Sequence, residues 1–301
     1  MVPTLLLALA YLCAGNEVWI ARPQASPPVV LFWYMRILIG CNNFSYLSGS
    51  PLYVYTLAYE LTLLGHEVTI YSPLVGGVLE EKAELAGIKT TTVLDPELTY
   101  DVMHLNQTTS KVLLDTYNSP AVYTIHSEFP VEDPLRDPRI SKYIAIRPSI
   151  AERWGIDCAI IYNPIDFRRF HPYPKPAKEL TLFVGTIDNL RRESAQHLMQ
   201  SGKRCRFVGK KFATWADGLD NWFPEAWDIE DHLKDATETA GIMLGRTSIE
   251  GWACGLPAII YDVGVNGEIK SITEHQPPAD MSFFDSQLVA KQVLEVYESI
   301  I

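Results

Sequence analysis

Glu250 stands in the densest local pattern of the chain, Gly245-Arg246-Thr247-Ser248-Ile249-Glu250-Gly251-Trp252-Ala253-Cys254-Gly255-Leu256-Pro257. A carboxylate near the start of a helix can accept hydrogen bonds from two ribose hydroxyls, or simply complement the positive helix end. Arg246, just before it, offers a cation. Arg191 and Arg192 open another helix, where a guanidinium pairs with phosphate oxygens in a fork and offsets charge on a leaving pyrophosphate. The ordinary alternative for each arginine is a solvated surface side chain. His126 leaves an apolar strand at its C-terminal end, where it can orient a sugar hydroxyl or stabilise charge, with Glu128 nearby. Its alternative is a structural histidine, and His66 and His104 lack that placement. The segment 45–50 is small and polar, and Gly49 and Ser50 let a phosphate or sugar approach the backbone; the alternative is a turn with a helix cap. It contains neither GxGxxG nor GxxxxGK[ST], so the dinucleotide and P-loop fingerprints are absent. Gly264-Val265-Asn266-Gly267-Glu268 repeats the combination of pliable backbone and carboxylate.

Alternating strands and helices must position these groups. Residues 36–40 form an apolar strand; Ser50 caps a helix with Pro51 in its first turn and Leu57, Leu61 and Leu64 at helical spacing, and Gly65 stops it before a strand at 67–71. That is a βαβ unit, which implies a parallel sheet with helices on its faces. The pattern predicts a helix at 79–86, strands at 89–93 and 101–105, a helix at 108–117 and strands at 121–125 and 143–146. A short helix capped by Ser149 and a strand at 159–162 close the series. The proline-rich stretch 163–176 marks a boundary. A second alternation follows, with a strand at 180–184 ending at Gly185, a helix at 191–199 and a strand at 206–208. It continues with a helix at 229–239, a strand at 241–244, a helix at 248–254 and a strand at 257–261. Leu288, Val293, Val296 and Ile300 share a face of a docked helix over 286–301. Residues 7–20 partly echo 57–70. Ligands of two such domains bind beyond the carboxyl ends of the parallel strands, and a cleft between them suits a nucleotide-linked substrate with its pyrophosphate at helix N-termini.

The 301 residues suffice for two domains, and 48% hydrophobic with 20% charged residues is a globular composition. The net charge of -11 disfavours chain-wide capture of nucleic acid or an anionic membrane, so no nucleic acid is expected as a partner. Five widely spaced cysteines without a CxxC pair argue for a reducing compartment and against disulfides or a zinc site. The apolar run 5–14 has no preceding Lys or Arg and is too short to span a bilayer, so a cytoplasmic location is expected and membrane association has no support.

MRILIG, LAYELTLLGHEVTIYSP, YTIH, IIYNPIDFRRFHP, LFVGT and GRTSIEGWACGLPAIIYD followed by GVNGE occur in this order across residues 35 to about 270. The series resembles the family 4 glycosyltransferases of two-domain GT-B architecture. The resemblance implies an α/β fold of two Rossmann-like parallel-sheet domains facing across a cleft. It divides the chain into an extra segment 1–34, an N-terminal domain 35–170, a nucleotide-sugar-binding domain 178–280 and a terminal helix 285–301 packing back on the first domain. It implies transfer of a hexosyl-type group from a nucleotide-diphosphate sugar, UDP- or GDP-linked, to a carbohydrate, lipid-linked or small-molecule acceptor, with retention and without a metal or other cofactor. Carried over by position, Gly49 approaches the donor phosphates, His126 lies near the transferred sugar, Glu250 contacts the ribose, and Glu268 falls in the acidic glycine-rich loop. Arg191 or Arg192 replaces the usual basic residue, and Ser50, Gly185 and Arg246 join the donor-binding candidates. Two positions depart from the pattern: Ile242 stands where the first glutamate of a pair belongs, eight residues before Glu250, and Thr186 replaces an arginine after Val-Gly. These departures favour a catalytically degenerate nucleotide-sugar binder as the alternative. An epimerase ranks below it, and a two-carboxylate hydrolase and a nicotinamide enzyme lower still.

Overall fold

The computed structural model describes residues 34–129 and 133–301. The echo at 7–20 and the apolar run at 5–14 lie outside the described residues, as does Cys13. The first lobe holds a sheet in the order β3-β2-β1-β4-β5-β6-β7. Its strands are Arg36–Gly40 (β1), Glu67–Tyr71 (β2), Lys89–Thr91 (β3), Val102–Asn106 (β4), Ala121–Ile125 (β5), Ile140–Ala145 (β6) and Ala159–Ile160 (β7). Every pairing in it is parallel. β4 and β5 are buried throughout, as expected for strands covered by helices on both faces. The second lobe has the order β10-β9-β8-β11-β12-β13. These are Thr181–Val184 (β8), Cys205–Val208 (β9), Trp222–Phe223 (β10), Glu238–Ile242 (β11), Ala258–Val263 (β12) and Ile269–His275 (β13). All pair in parallel except β13, which runs antiparallel to β12. Each sheet reverses its winding beside its first strand, between β1 and β4 and between β8 and β11, and such a reversal opens a crevice at the strand C-termini.

The helices are Gly49–Leu63 (α1), Gly77–Leu85 (α2), Thr109–Thr116 (α3), Pro148–Trp154 (α4), Arg192–Gln200 (α5), Ile229–Lys234 (α6), Arg246–Ala253 (α7) and Ser286–Glu298 (α8). Several elements differ from expectation. Ser48, not Ser50, is the N-cap of α1, so Ser50 falls inside the first turn. Arg147 precedes α4 with Pro148 at its first position, where a missing N–H costs nothing, and Ser149 lies within the helix. The helix expected at 229–239 ends at Lys234, because residues 238–242 are drawn into the ladder between β8 and β12. On α8 the buried stripe is Val289, Ala290, Val293, Leu294 and Tyr297; Leu288 faces solvent. No helix among the described residues is long and apolar enough to cross a membrane.

α8 packs on the first lobe. Ser286 Oγ donates to the buried Glu60 carboxylate of α1 at 2.6 Å, and Arg168 of the connecting segment pairs with the same oxygen. Tyr297 Oη lies 2.6 Å from His104 Nδ1, and His104 Nε2 is 2.7 Å from Thr124 Oγ1. Burial lowers His104 to about 3 and His126 to about 4, so both are neutral at pH 7. The unfolded chain protonates them near 6.5, so below that pH it binds more protons than the folded state and stability falls. Urea unfolding should lose about 1.4 kcal/mol per pH unit per histidine as the pH drops from 6.5 towards 4. His104→Gln should reduce the slope by about 1.4 kcal/mol per pH unit; an unchanged slope would show that His104 is not buried neutral.

Candidate functional site

α1 and α7 start at the C-terminal ends of β1 and β11, so their N-termini meet between the lobes. A cavity of about 470 Å³ lies there, lined by Gly49 and Ser50 of α1, His126, Arg191 and the Gly245-Arg246 start of α7, among other residues. A smaller inner pocket of about 90 Å³ is lined by Gly185, Glu250, Arg169, Glu225 and Trp227. Ser48, Gly49 and Arg246 belong to both walls. Neither helix N-terminus carries a side-chain cap, at Ser48 or at Gly245. The first-turn N–H groups of a helix have no intrahelical acceptors, and two such ends facing one cavity make a positively polarised site.

Arg246 is 9% exposed and Glu250 4%. Arg246 Nε donates to Glu250 Oε1 at 2.7 Å, and Nη2 donates to Thr56 Oγ1 of the first lobe at 3.1 Å. Nη1 is buried without a hydrogen-bond partner among the described residues. Burial raises the Glu250 carboxyl and lowers the Arg246 guanidinium, while their mutual attraction opposes both shifts. We read the pair as charged, held by a contact that neither could lose cheaply. Two further bonds join the lobes: Leu47 N–H donates to Glu225 Oε2 at 3.2 Å, and Arg147 Nη1 donates to Leu244 O at 2.8 Å.

His126 Nε2 is 2.7 Å from Asn106 Oδ1, while Asn106 Nδ2 donates to Gly40 O at 3.0 Å. With the amide oriented by that carbonyl, the neutral imidazole donates from Nε2 and retains Nδ1 as an acceptor. A neutral acceptor suits a sugar hydroxyl and excludes a standing positive charge, which narrows the expectation for His126. Arg191 Nη1 pairs with Asp188 Oδ2 at 2.7 Å and reaches the cleft. Arg192, one residue on, is exposed as the first residue of α5 and lines neither cavity. Glu268 also lines neither; its loop closes on itself, Gly264 N–H donating to Glu268 O at 2.8 Å and Asn266 N–H to the Glu268 carboxylate at 3.2 Å. Ser50 Oγ accepts from Gln107 Nε2 at 3.2 Å. Ile242 and Thr186, the two departures, both line the cleft.

The sequence reading missed Arg147, Thr56, Arg169, Gln107 and Met243. Arg147 left a signal, since it precedes a proline that follows a strand. Gln107 and Met243 left none: both take left-handed backbone, φ 57° and 55°, directly after β4 and β11, and both line the cleft. Strained non-glycine residues of this kind cluster at working sites.

No family model matches the sequence, and no curated protein matches it. Solved structures do match. A glycosyltransferase from Rickettsia africae ESF-5 superposes with a TM-score of 0.59 at 15% identity, over 89% of this chain and 98% of its own. A glycosyltransferase involved in avilamycin A biosynthesis gives 0.55 at 13% identity, over 88% and 97%. The fold is GT-B. An alpha-glucosyltransferase in complex with UDP and a 13-mer DNA gives 0.50 at 12% identity, over 88% and 93%. That complex overturns the expectation that nucleic acid is excluded as a partner, because a protein of this same GT-B fold is seen with DNA. Net charge governs non-specific capture from a distance and does not describe what one cleft accepts.

Proposed function

We propose that the chain is a nucleotide-sugar-dependent glycosyltransferase of the family 4 type, moving a hexosyl group with retention. What carries this reading is the meeting of two uncapped helix N-termini, one from each lobe, beside a buried guanidinium with a spare N–H. A diphosphate fits such a place: two negative groups face helix ends, Arg246 and Arg191. From there the ribose turns its hydroxyls towards Glu250 at the inner pocket, and the larger cavity takes the sugar at His126. Departure of the nucleoside diphosphate leaves negative charge where these fixed donors already point, so they stabilise the transition state more than the ground state. His126 Nδ1 accepts from a sugar hydroxyl and orients the ring; burial disfavours its protonated form, so it is a weak base.

The decisive experiment measures UDP and GDP binding by calorimetry, then release of nucleotide from UDP- and GDP-sugars. Neither nucleotide binding would sink the reading. Ile242 in the cleft, in place of a carboxylate, favours the second reading of a binder without turnover, and nucleotide binding with no release from any sugar donor would establish it. Within the first reading, Arg191→Ala should lower kcat about tenfold to a hundredfold, the loss expected for one charge-assisted bond, with Arg192→Ala near wild type. Equal effects of the two would remove Arg191 from the mechanism.

A further inference from the structure

Three of the four sheet edges among the described residues are blunt: β3 has three residues, and β7 and β10 have two each. The fourth, β13, presents seven residues with six of them exposed, and it is the strand that reverses direction. A long open edge leaves a row of unpaired N–H and C=O groups, which proteins ordinarily shorten or cover. Its sequence, Ile269-Lys270-Ser271-Ile272-Thr273-Glu274-His275, is self-complementary about Ile272. Side chains of a strand alternate between faces, so Lys270, Ile272 and Glu274 share one face. If two copies align antiparallel with Ile272 opposite Ile272, Lys270 of each meets Glu274 of the other, on either side of a central apolar pair. Ile272 is 41% exposed, and neither Lys270 nor Glu274 has an ion-pair partner among the described residues.

We propose that β13 is the interface by which two copies of this chain pair, joining their second sheets into one continuous sheet across a two-fold axis. An isologous contact of this kind closes at the dimer. Opposite charges placed directly across an antiparallel ladder stabilise it, and like charges there destabilise it. Two seven-residue strands paired edge to edge are expected to bury on the order of several hundred Å², below the roughly 1,000 Å² of a stable interface, so the dimer should dissociate on dilution. The inference does not depend on the proposed activity.

Sedimentation equilibrium of the full chain, from roughly 10 to roughly 500 µM at about 0.15 M salt, where charges beyond about 8 Å are screened, tests it. Wild type should pass from monomer to dimer over that range. K270E and E274K should each stay monomeric, and K270E/E274K should recover the dimer. E274K is the discriminating arm, because it lowers the net negative charge and would strengthen association if only bulk repulsion mattered. A wild type that stays monomeric to the top concentration overturns the proposal. So does a dimer in either single variant, or a double variant that fails to recover one while its circular dichroism matches wild type.

Discussion

Glu250→Ala is expected to cost about 3–5 kcal/mol in urea unfolding, because it strands the Arg246 guanidinium in a site where burial already disfavours charge. Removing both members would cost less than removing one, so Glu250→Ala with Arg246→Met should be more stable than Glu250→Ala alone. Glu250→Gln keeps the shape and an acceptor towards Arg246 Nε but not the charge, so it should lose less stability than Glu250→Ala. It also separates structure from binding. If Glu250 holds the ribose, wild type should bind UDP about ten to a hundred times more tightly than 2′-deoxy-UDP, the worth of a hydrogen bond to a charged group, and Glu250→Gln should lose most of that preference. (GDP and 2′-deoxy-GDP replace them if GDP is the tighter nucleotide.) The same discrimination in both proteins would take Glu250 out of ribose binding and leave it as the partner that keeps Arg246 in place.

Gly209→Ala should be the most damaging small substitution in the second lobe. Gly209 follows β9 with φ 153°, and an added Cβ would sit 1.8 Å from Gly185 O at the exit of β8. No side chain can move aside there, since the obstructing atom is backbone. A loss of more than about 3 kcal/mol is expected, from the clash added to the strained backbone. Gly87→Ala is the control: its φ is 73° and nothing lies within 4 Å of the added atom, so it should cost about 1 kcal/mol for backbone conformation alone. Urea midpoints for the two variants isolate the clash, and equal losses would mean that the two strand exits are not in contact. The inner pocket rests on this contact, because Gly185 and Gly209 are part of its lining.

The alternation of the two lobes was legible where strands are short apolar runs, as in β1, β5 and β8, and where a glycine stops a helix, as Gly65 does after α1; the short β10 and the polar, exposed β13 carry no such signal and were not read. His126 and Glu250 drew attention for different reasons, one by leaving a parallel strand at its C-terminal end and the other by its dense local pattern, and each lines one of the two cavities. Arg191 and Arg192 could not be separated by spacing: the turn at Asn189–Arg191 folds one towards Asp188 and leaves the next outside. Glu268 lines neither cavity and its carboxylate accepts from its own loop, which composition does not foretell. Residues 235–239 read as helix because Ala and Glu favour helices, but neighbouring strands on both sides decided otherwise. β13 reverses because only residues 264–268 join it to β12, too few for a parallel crossover, and Asn266-Gly267 in that loop is a hairpin signal that the sequence reading took only as pliable backbone.

The bond between Tyr297 and His104 spans 193 positions of sequence. During synthesis at about 5–20 residues per second, the first sheet leaves the ribosome many seconds before α8 can seal it. Until then the helix face of α1 that α8 covers, with Glu60 near its C-terminal end, meets water or a chaperone. The nascent first lobe is therefore an open intermediate, and a pause in translation between the lobes would extend the time it can be captured or cut by a protease.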